Sequence, residues 1–235
     1  MEEKKQILGK KVRIGVLMGG RSLEHEVSFN SGRTVCDHLD ISHYEVVPLF
    51  QVKRGEIYLL PFHFLHRGKT DDFVHRLPQE AQQVSWDDLS LHDDFIYIAT
   101  HGQYAEDGRL QGMLELLHIP YLGSTVFASA LRMDKVKQKT VFALHGIDYP
   151  RFYTVSAHTV ETIEQDKDVL LTALHVQKLQ FPLVVKPVSE GSSLGVSVVF
   201  SPDELFHAIK KASTVNHSCI GDVLIEEKID PFTTD

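Results

Sequence analysis
An apolar run, Phe181 to Val185, ends in Lys186, and the residues after Pro187 include Gly191, Ser192, Ser193 and Gly195. The run reads as a buried strand that Pro187 stops. The loop beyond it offers backbone N–H groups with little at Cβ to block approach, plus two hydroxyls. Successive N–H groups in such a turn form a concavity for anions, and a lysine at the strand end adds a mobile point charge. The combination fits the holding of a phosphate chain. A Gly/Ser hairpin beside a solvated lysine is the plainer alternative, and the loop by itself leaves both open.

Three other places invite chemistry. Gly19-Gly20 lies between an apolar run and a helical pattern, where an anion or a substrate can meet helix N-terminal N–H groups. Glu24 and Glu26 follow, either as functional carboxylates or as complements to the helix dipole. His101-Gly102 ends a second apolar run at its carboxyl end, where open parallel sheets place ligands; a loop histidine without a role is the alternative. Lys135, in Met133-Asp134-Lys135 with Lys137 and Lys139 nearby, reads as mid-helix, where lysines are ordinarily solvated. The familiar nucleotide loops are excluded, because the glycine after Gly20 is Gly32 and no GxxxxGK[ST] occurs. With 14 histidines in the chain a given one seldom marks a site, and His63-x-x-His66 lacks a third ligand nearby, so no histidine metal site is expected.

The elements that must position these residues alternate in type. Val12 to Met18, Tyr44 to Phe50 and Phe95 to Thr100 read as strands; Glu24 to Leu39 and Leu110 to Leu117 read as helices. That alternation predicts a parallel sheet with helices. Between them, the stretch from Arg54 to Asp94 reads as a hairpin around Gly55 followed by a polar, His-rich insertion. From Val126 the pattern predicts one long helix to His145, closed by Gly146. Strands at Arg151 to Val155, Phe181 to Lys186, Val196 to Phe200 and Val223 to Glu227 follow, separated by helical segments. The expected organisation is two domains, 1–122 and 123–235, the second α+β, with the boundary where Gly123-Ser124-Thr125 offers a helix start.

Composition bounds the rest. The 235 residues are 43% hydrophobic, enough for a sizeable core, and the formal net charge of -8 speaks against a general nucleic-acid binder. Cys36 and Cys219 have no CxxC spacing, so neither a disulfide framework nor a zinc ribbon is indicated, and a reducing cytoplasm is the expected location. No run approaches the ~18 apolar residues needed to span a bilayer, and the charged N-terminus lacks a signal-type apolar stretch, so no membrane association is expected.

Read in order, these motifs resemble the D-alanine–D-alanine ligases of the ATP-grasp superfamily. The resemblance is carried by Gly19-Gly20-Arg21-Ser22-Leu23-Glu24-His25-Glu26-Val27-Ser28, by His101-Gly102 with Glu106-Asp107-Gly108-Arg109-Leu110-Gln111-Gly112, and by Gly123-Ser124 with Met133-Asp134-Lys135. Lys186-Pro187 with Glu190-Gly191-Ser192-Ser193-Leu194-Gly195-Val196, then Val223-Leu224-Ile225-Glu226, complete it. It implies an α/β fold, a Rossmann-like preATP-grasp domain followed by an α+β first ATP-grasp subdomain. The implied activity is the ATP-dependent joining of two D-alanines, through an acyl phosphate, for peptidoglycan synthesis. Glu24, Ser192 and His101 are then the residues at the first D-alanine, with Glu24 facing its ammonium, Ser192 orienting Glu24 and His101 beside the same substrate. Lys135 and Lys186 are implied as phosphate contacts. Glu190, Gly191, Ser192 and Ser193 fall in the loop over the triphosphate, and Glu226, Glu227 and Ile229 on the adenine side. A homodimer is a further implication.

The sequence departs from the family in two places. Gln103-Tyr104-Ala105 stands where a more glycine-rich stretch is usual. After Ile229 the chain reads Asp230-Pro231-Phe232-Thr233-Thr234-Asp235, where the family continues into a second ATP-grasp subdomain that supplies an arginine and the magnesium ligands. The expectation is therefore a truncated ligase, inactive alone, with the second subdomain absent. The rival readings are a non-catalytic ligand-binding or interaction protein on the same scaffold, and an ATP-grasp ligase with another second substrate.

Overall fold
A computed structural model describes residues 11–66, 68–163, 167–215 and 220–229; the N-terminal ten residues, Cys219 and the segment 230–235 lie outside the described residues. The chain divides into two compact units, Met1–Ala130 and Leu131–Asp235. Each has its own sheet and core.

The first unit is built on β1 (Val12–Gly19), α1 (His25–His38), β2 (Tyr44–Gln51), β3 (Ile57–Leu59), α2 (Phe62–Leu65), α3 (Leu77–Glu80), β4 (Gln82–Val84), α4 (Leu89–His92), β5 (Phe95–Ile98), α5 (Arg109–Leu116) and β6 (Tyr121–Leu122). The sheet order is β4-β3-β2-β1-β5-β6, with β1 parallel to both β2 and β5, and β3 and β4 added antiparallel at one edge. Successive β1 residues point to opposite faces, so Val16 and Met18 enter one core with Phe29 and Phe50 while Leu17 enters another with Leu49, Ile96 and Leu114. A strand buried on both faces must be apolar, which is why Ile14 to Met18 shows no polar alternation. α1 lies close on β1 because Gly32 has no Cβ; one added there would stand 2.4 Å from Met18 Cβ.

The hairpin expected around Gly55 is present, joining β2 to β3, but the rest of the stretch to Asp94 is not the insertion the sequence implied. It supplies β3 and β4 to the sheet, and it buries Phe64 and Phe73 completely, with Phe73 centred 5.3 Å from both Phe29 and Phe50. Its elements are three or four residues long, too short to show a period. Glu26 ties this stretch to α1, its carboxylate accepting from the Thr70 amide at 3.1 Å and from the Thr70 hydroxyl. Glu26 is thus a tether as well as a first-turn acid.

The division between the units falls inside α6 (Val126–Met133). The single long helix expected from Val126 to His145 is broken at Asp134, and α7 (Lys135–Leu144) starts afresh. Asp134 is extended, with φ -93 and ψ 103, and its side chain accepts from the Val136 and Lys137 amides at 3.0 Å. An aspartate that caps its own following turn outcompetes helix continuation, and Lys135 becomes a first-turn residue rather than a mid-helix one.

The second unit continues with β7 (Phe152–Val155), α8 (Ala157–Thr162), α9 (Lys167–Val176), β8 (Leu183–Pro187), β9 (Ser197–Val199), α10 (Pro202–Ser213) and β10 (Val223–Glu227). Its antiparallel sheet has the order β7-β10-β8-β9. Val185, Val199, Leu205, Ile209, Val223 and Ile225 meet in its core. β8 runs through Pro187, which pairs with Val223, so the proline does not stop the strand one residue earlier as expected. Ser201 caps α10, accepting from the Glu204 amide at 3.4 Å while Glu204 accepts from the Phe200 amide at 2.9 Å. Among the described residues no helix is long and apolar enough to cross a membrane.

Candidate active site
In the first unit the functional candidates gather at the carboxyl ends of β1 and β5. Gly19 and Gly20 have φ of 81° and 98°, and the turn is fixed by the Gly20 amide donating to Gln51 O at 2.8 Å. Buried His25 braces it from within, its Nδ1 lying 2.6 Å from Gly20 O. A carbonyl only accepts, so Nδ1 carries the proton, and burial lowers the ring's proton affinity, which keeps the ring neutral.

Glu24 takes the N-cap position of α1 and is 8% exposed. A chain of serine hydroxyls joins its backbone to His101. The Glu24 amide donates to Ser22 Oγ at 3.1 Å, and Ser22 Oγ donates to His101 O at 2.6 Å. Ser28 Oγ donates to Glu24 O at 2.9 Å and accepts from the His101 amide at 2.9 Å, while Ser31 Oγ lies 2.8 Å from His101 Nε2. The first and second motifs are thus latched together. Gly102, with φ of 75°, admits the Glu24 carboxylate, since a Cβ there would be 2.9 Å from Glu24 Oε1. Acids inside the second motif close its loop: Glu106 accepts from the Gly102 amide at 2.7 Å and Asp107 from the Tyr104 amide at 2.8 Å.

The second unit gathers the cationic candidates. Lys135 Nζ reaches the Glu190 carbonyl at 2.6 Å and the Val188 carbonyl at 3.2 Å. Lys186 and Glu226 stand diagonally on neighbouring strands, since Lys186 is opposite Leu224, and their side chains are hydrogen-bonded. The ammonium of Lys135 loses proton affinity, first through burial and then through the nearby charge of Lys186. Two cations that repel each other in a half-buried place favour an anion between them.

Sequence reasoning missed Lys139. It is buried, and its Nζ lies 3.0 Å from Glu226 Oε2 as an ion pair, although the angles leave that oxygen without a hydrogen bond. The same ammonium lies 5.3 Å from the Phe152 ring centre and 5.5 Å from that of Tyr149. The signal available was spacing: Lys139 is four residues after Lys135 and so shares its helix face. Lys137, between them, is exposed and pairs with Asp134 at 2.5 Å.

The Gly/Ser loop is a turn in which Ser192 and Ser193 both adopt positive φ, 47° and 57°. Its inner bonds, Leu194 N to Gly191 O at 3.0 Å and Val196 N to Ser193 O at 3.2 Å, use the amides of Leu194 and Val196 rather than those of Gly191, Ser192, Ser193 and Gly195 that the sequence reading offered to a ligand. The two serine side chains are exposed. Gly195 serves packing, because a Cβ there would lie 2.3 Å from Val215 and 3.0 Å from Pro187. Glu227 stands apart from the lysines. It holds Arg151 at 2.5 Å, which keeps its carboxyl below the ordinary range, and Ile229 is exposed.

Two family models match the chain: D-ala D-ala ligase N-terminus over residues 13–124 and D-ala D-ala ligase C-terminus over residues 141–232. The chain belongs to the D-alanine–D-alanine ligase family. It is 36% identical over 228 residues to a D-alanine–D-alanine ligase of Natranaerobius thermophilus, covering 93% of this chain and 61% of that protein. A Geobacter sulfurreducens ligase is 37% identical over 221 residues, with 94% of this chain and 56% of the relative covered. Among solved structures, the ligase from Coxiella burnetii superposes with a TM-score of 0.75 at 31% identity, covering 94% of this chain and 64% of that one. VanG D-Ala:D-Ser ligase from Enterococcus faecalis gives the same TM-score at 26% identity, with the same coverage. The mixed α/β fold is therefore that of the ligase family, and the chain spans about three fifths of the length of the curated relatives it matches.

Proposed function
We propose that this chain carries the amino-acid-binding and phosphate-binding parts of a D-alanine–D-alanine ligase, an enzyme that joins two D-alanines at the expense of ATP, through an acyl phosphate, in peptidoglycan synthesis. The observation that carries the reading is the convergence of Lys135 and Lys186, from a helix start and a strand far apart in sequence, beside the Ser192-Ser193 turn. Phosphoryl transfer asks a protein chiefly for positioning and neutralisation of charge, and these residues are suited to both.

On this reading residues 1–122 are the preATP-grasp domain and 123–235 the first ATP-grasp subdomain. Glu24, His101 and Ser192 serve the first D-alanine, with buried Glu24 as partner for its ammonium. Lys135, Lys186 and the loop Glu190, Gly191, Ser192 and Ser193 hold the triphosphate, and Glu226, Glu227 and Ile229 flank the adenine. Cytoplasmic location and a homodimer belong to the same proposal. Among the described residues no three His, Cys, Asp or Glu side chains gather as a metal site, and the residues named here supply charge and position rather than magnesium ligands.

Calorimetry with ATP and AMP tests the nucleotide part. Lys135→Met and Lys186→Met should each weaken ATP binding by about 1.5 to 3 kcal/mol, the worth of a charge-assisted contact, and change AMP binding less. The double variant should depart from the sum of the two, because both lysines share one partner. Equal affinity of the unsubstituted chain for ATP and AMP, or indifference of both variants, would refute the assignment.

A further inference from the structure
Buried Glu226 has two ammonium partners, Lys186 on Oε1 and Lys139 at 3.0 Å from Oε2. The two lysines are not equivalent. The Lys139 side chain is 8% exposed, and its ammonium donates to Pro150 O at 3.3 Å while lying over the Phe152 and Tyr149 rings. Each of these contacts suits a cation, and together they fix it from several sides. The Lys186 side chain is 22% exposed, and among the described residues Glu226 is the one hydrogen-bond partner of its ammonium. One lysine is therefore anchored beside Glu226, and the other can exchange partners.

That asymmetry bears on phosphate binding. A lysine that turns from Glu226 to a phosphate leaves the carboxylate behind, and a buried charge stripped of its partners is strongly destabilising. With Lys139 in place Glu226 keeps one cation, so Lys186 can move. Without Lys139 the whole charge of Glu226 would hold Lys186 back. Lys135 does not replace it, because its ammonium donates to the Val188 and Glu190 carbonyls. We propose that Lys139 is a positioning residue for nucleotide binding, retaining Glu226 so that Lys186 can pass from that carboxylate to a phosphate oxygen. Lys139 then acts through Glu226 rather than on the nucleotide, and its role rests on the phosphate-holding one proposed above for Lys186.

Calorimetry with ATP and AMP tests this, read as the ratio of the two affinities, which divides out the adenine side where Glu226 is also assigned. Lys139→Met should lower the ratio about tenfold, and Lys139→Arg, which keeps the charge, should stay within about threefold of the unsubstituted protein. Adding Glu226→Gln to Lys139→Met should bring the ratio back to within about threefold, because the carboxylate that retains Lys186 is gone. A lysine that merely supported the fold would lower ATP and AMP binding together, and the second substitution would not repair it. An unaltered ratio in Lys139→Met, or no recovery on adding Glu226→Gln, overturns the proposal. Lys186→Met separates it from the reading beneath: if the ratio falls there but not in Lys139→Met, only the role of Lys139 is lost, and if it falls in neither, the phosphate-holding role goes too. Should Lys139→Met not fold, lysine side-chain NMR of the unsubstituted protein answers the same question, with Lys139→Arg and Lys186→Arg to assign the signals. ATP should shift the Lys186 signal and leave that of Lys139 in place; a Lys139 signal that moves as far as that of Lys186 overturns the proposal.

Discussion

Replacing Asp93 by asparagine should change how the stability of this protein depends on pH. Asp93 stands two residues before β5 and is 3% exposed, and neither carboxylate oxygen has a hydrogen-bond partner among the described residues. It lies so close under β1 that a Cβ on Gly15 would be 2.6 Å from Asp93 Oδ1. Arg13 does not relieve it, because its guanidinium is committed to Asp94 at 2.8 Å. Burial therefore pushes the Asp93 carboxyl from 3.8 up to about 7, against the opposing pull of the Arg13 charge. A group that holds its proton more tightly when folded stabilises the native state below its unfolded value, and that stability is lost as pH rises through the folded value. The window runs from about 3.8 to about 7. At about 1.4 kcal/mol for each tenfold change in proton affinity, the whole window is worth on the order of 4 kcal/mol. Asparagine matches the protonated shape and cannot ionise, so Asp93→Asn should be the more stable protein by about 2 to 4 kcal/mol near pH 8. The advantage should shrink toward zero near pH 4. Urea unfolding of both proteins across that range gives the difference directly, and every other titrating group cancels in it. Parallel stability profiles would refute the reasoning and would mean that Asp93 finds a partner in solution.

Glu24→Gln keeps the shape of the N-cap residue and removes its charge; D-alanine affinity should fall by about 2 to 5 kcal/mol while ATP affinity is nearly unchanged. Equal losses for both ligands in calorimetry would make Glu24 structural. Lys139→Met leaves Glu226 with Lys186 alone and should cost about 2 to 3 kcal/mol in urea unfolding, less than the ~3 to 5 expected for a carboxylate stripped of every partner. Adding Glu226→Gln to Lys139→Met should recover part of that loss. A cost below about 0.5 kcal/mol for Lys139→Met would show that its ring contacts and ion pair do not stabilise the fold.

The parts legible in the sequence were those in which local pattern and tertiary environment agree. The apolar stretches Ile14 to Met18 of β1 and Val223 to Ile225 of β10 are buried on both faces, and α1 and α5 are periodic, so each element appears within a residue or two of where pattern placed it. The long helix failed because apolar periodicity continues across Asp134, whereas the break comes from a single side-chain cap. The hairpin at Gly55 was legible from its turn residue, but the stretch after it was misread because its aromatic anchors, Phe64 and Phe73, are spaced by neither two nor 3.6 residues. Motif order singled out Glu24, His101, Lys135 and Lys186 as candidates, but it could not show that Glu226 is clasped by two lysines. That pairing depends on the β8–β10 register and on the face α7 presents to the sheet's own residues, neither of which a one-dimensional pattern carries.

Ser192 and Ser193 sit side by side in a backbone region that disfavours any residue with a Cβ, at about 1 to 2 kcal/mol apiece. Glycine at either position would relieve that penalty, so a screen that rewards heat resistance alone should drift toward glycine at 192 and 193. The variants it returned would melt later and, under the phosphate-holding role proposed for this loop, bind ATP less well, having exchanged hydroxyl groups for backbone ease. Laboratory evolution would then separate what keeps this loop folded from what keeps it useful, and the two serines mark where those pressures diverge.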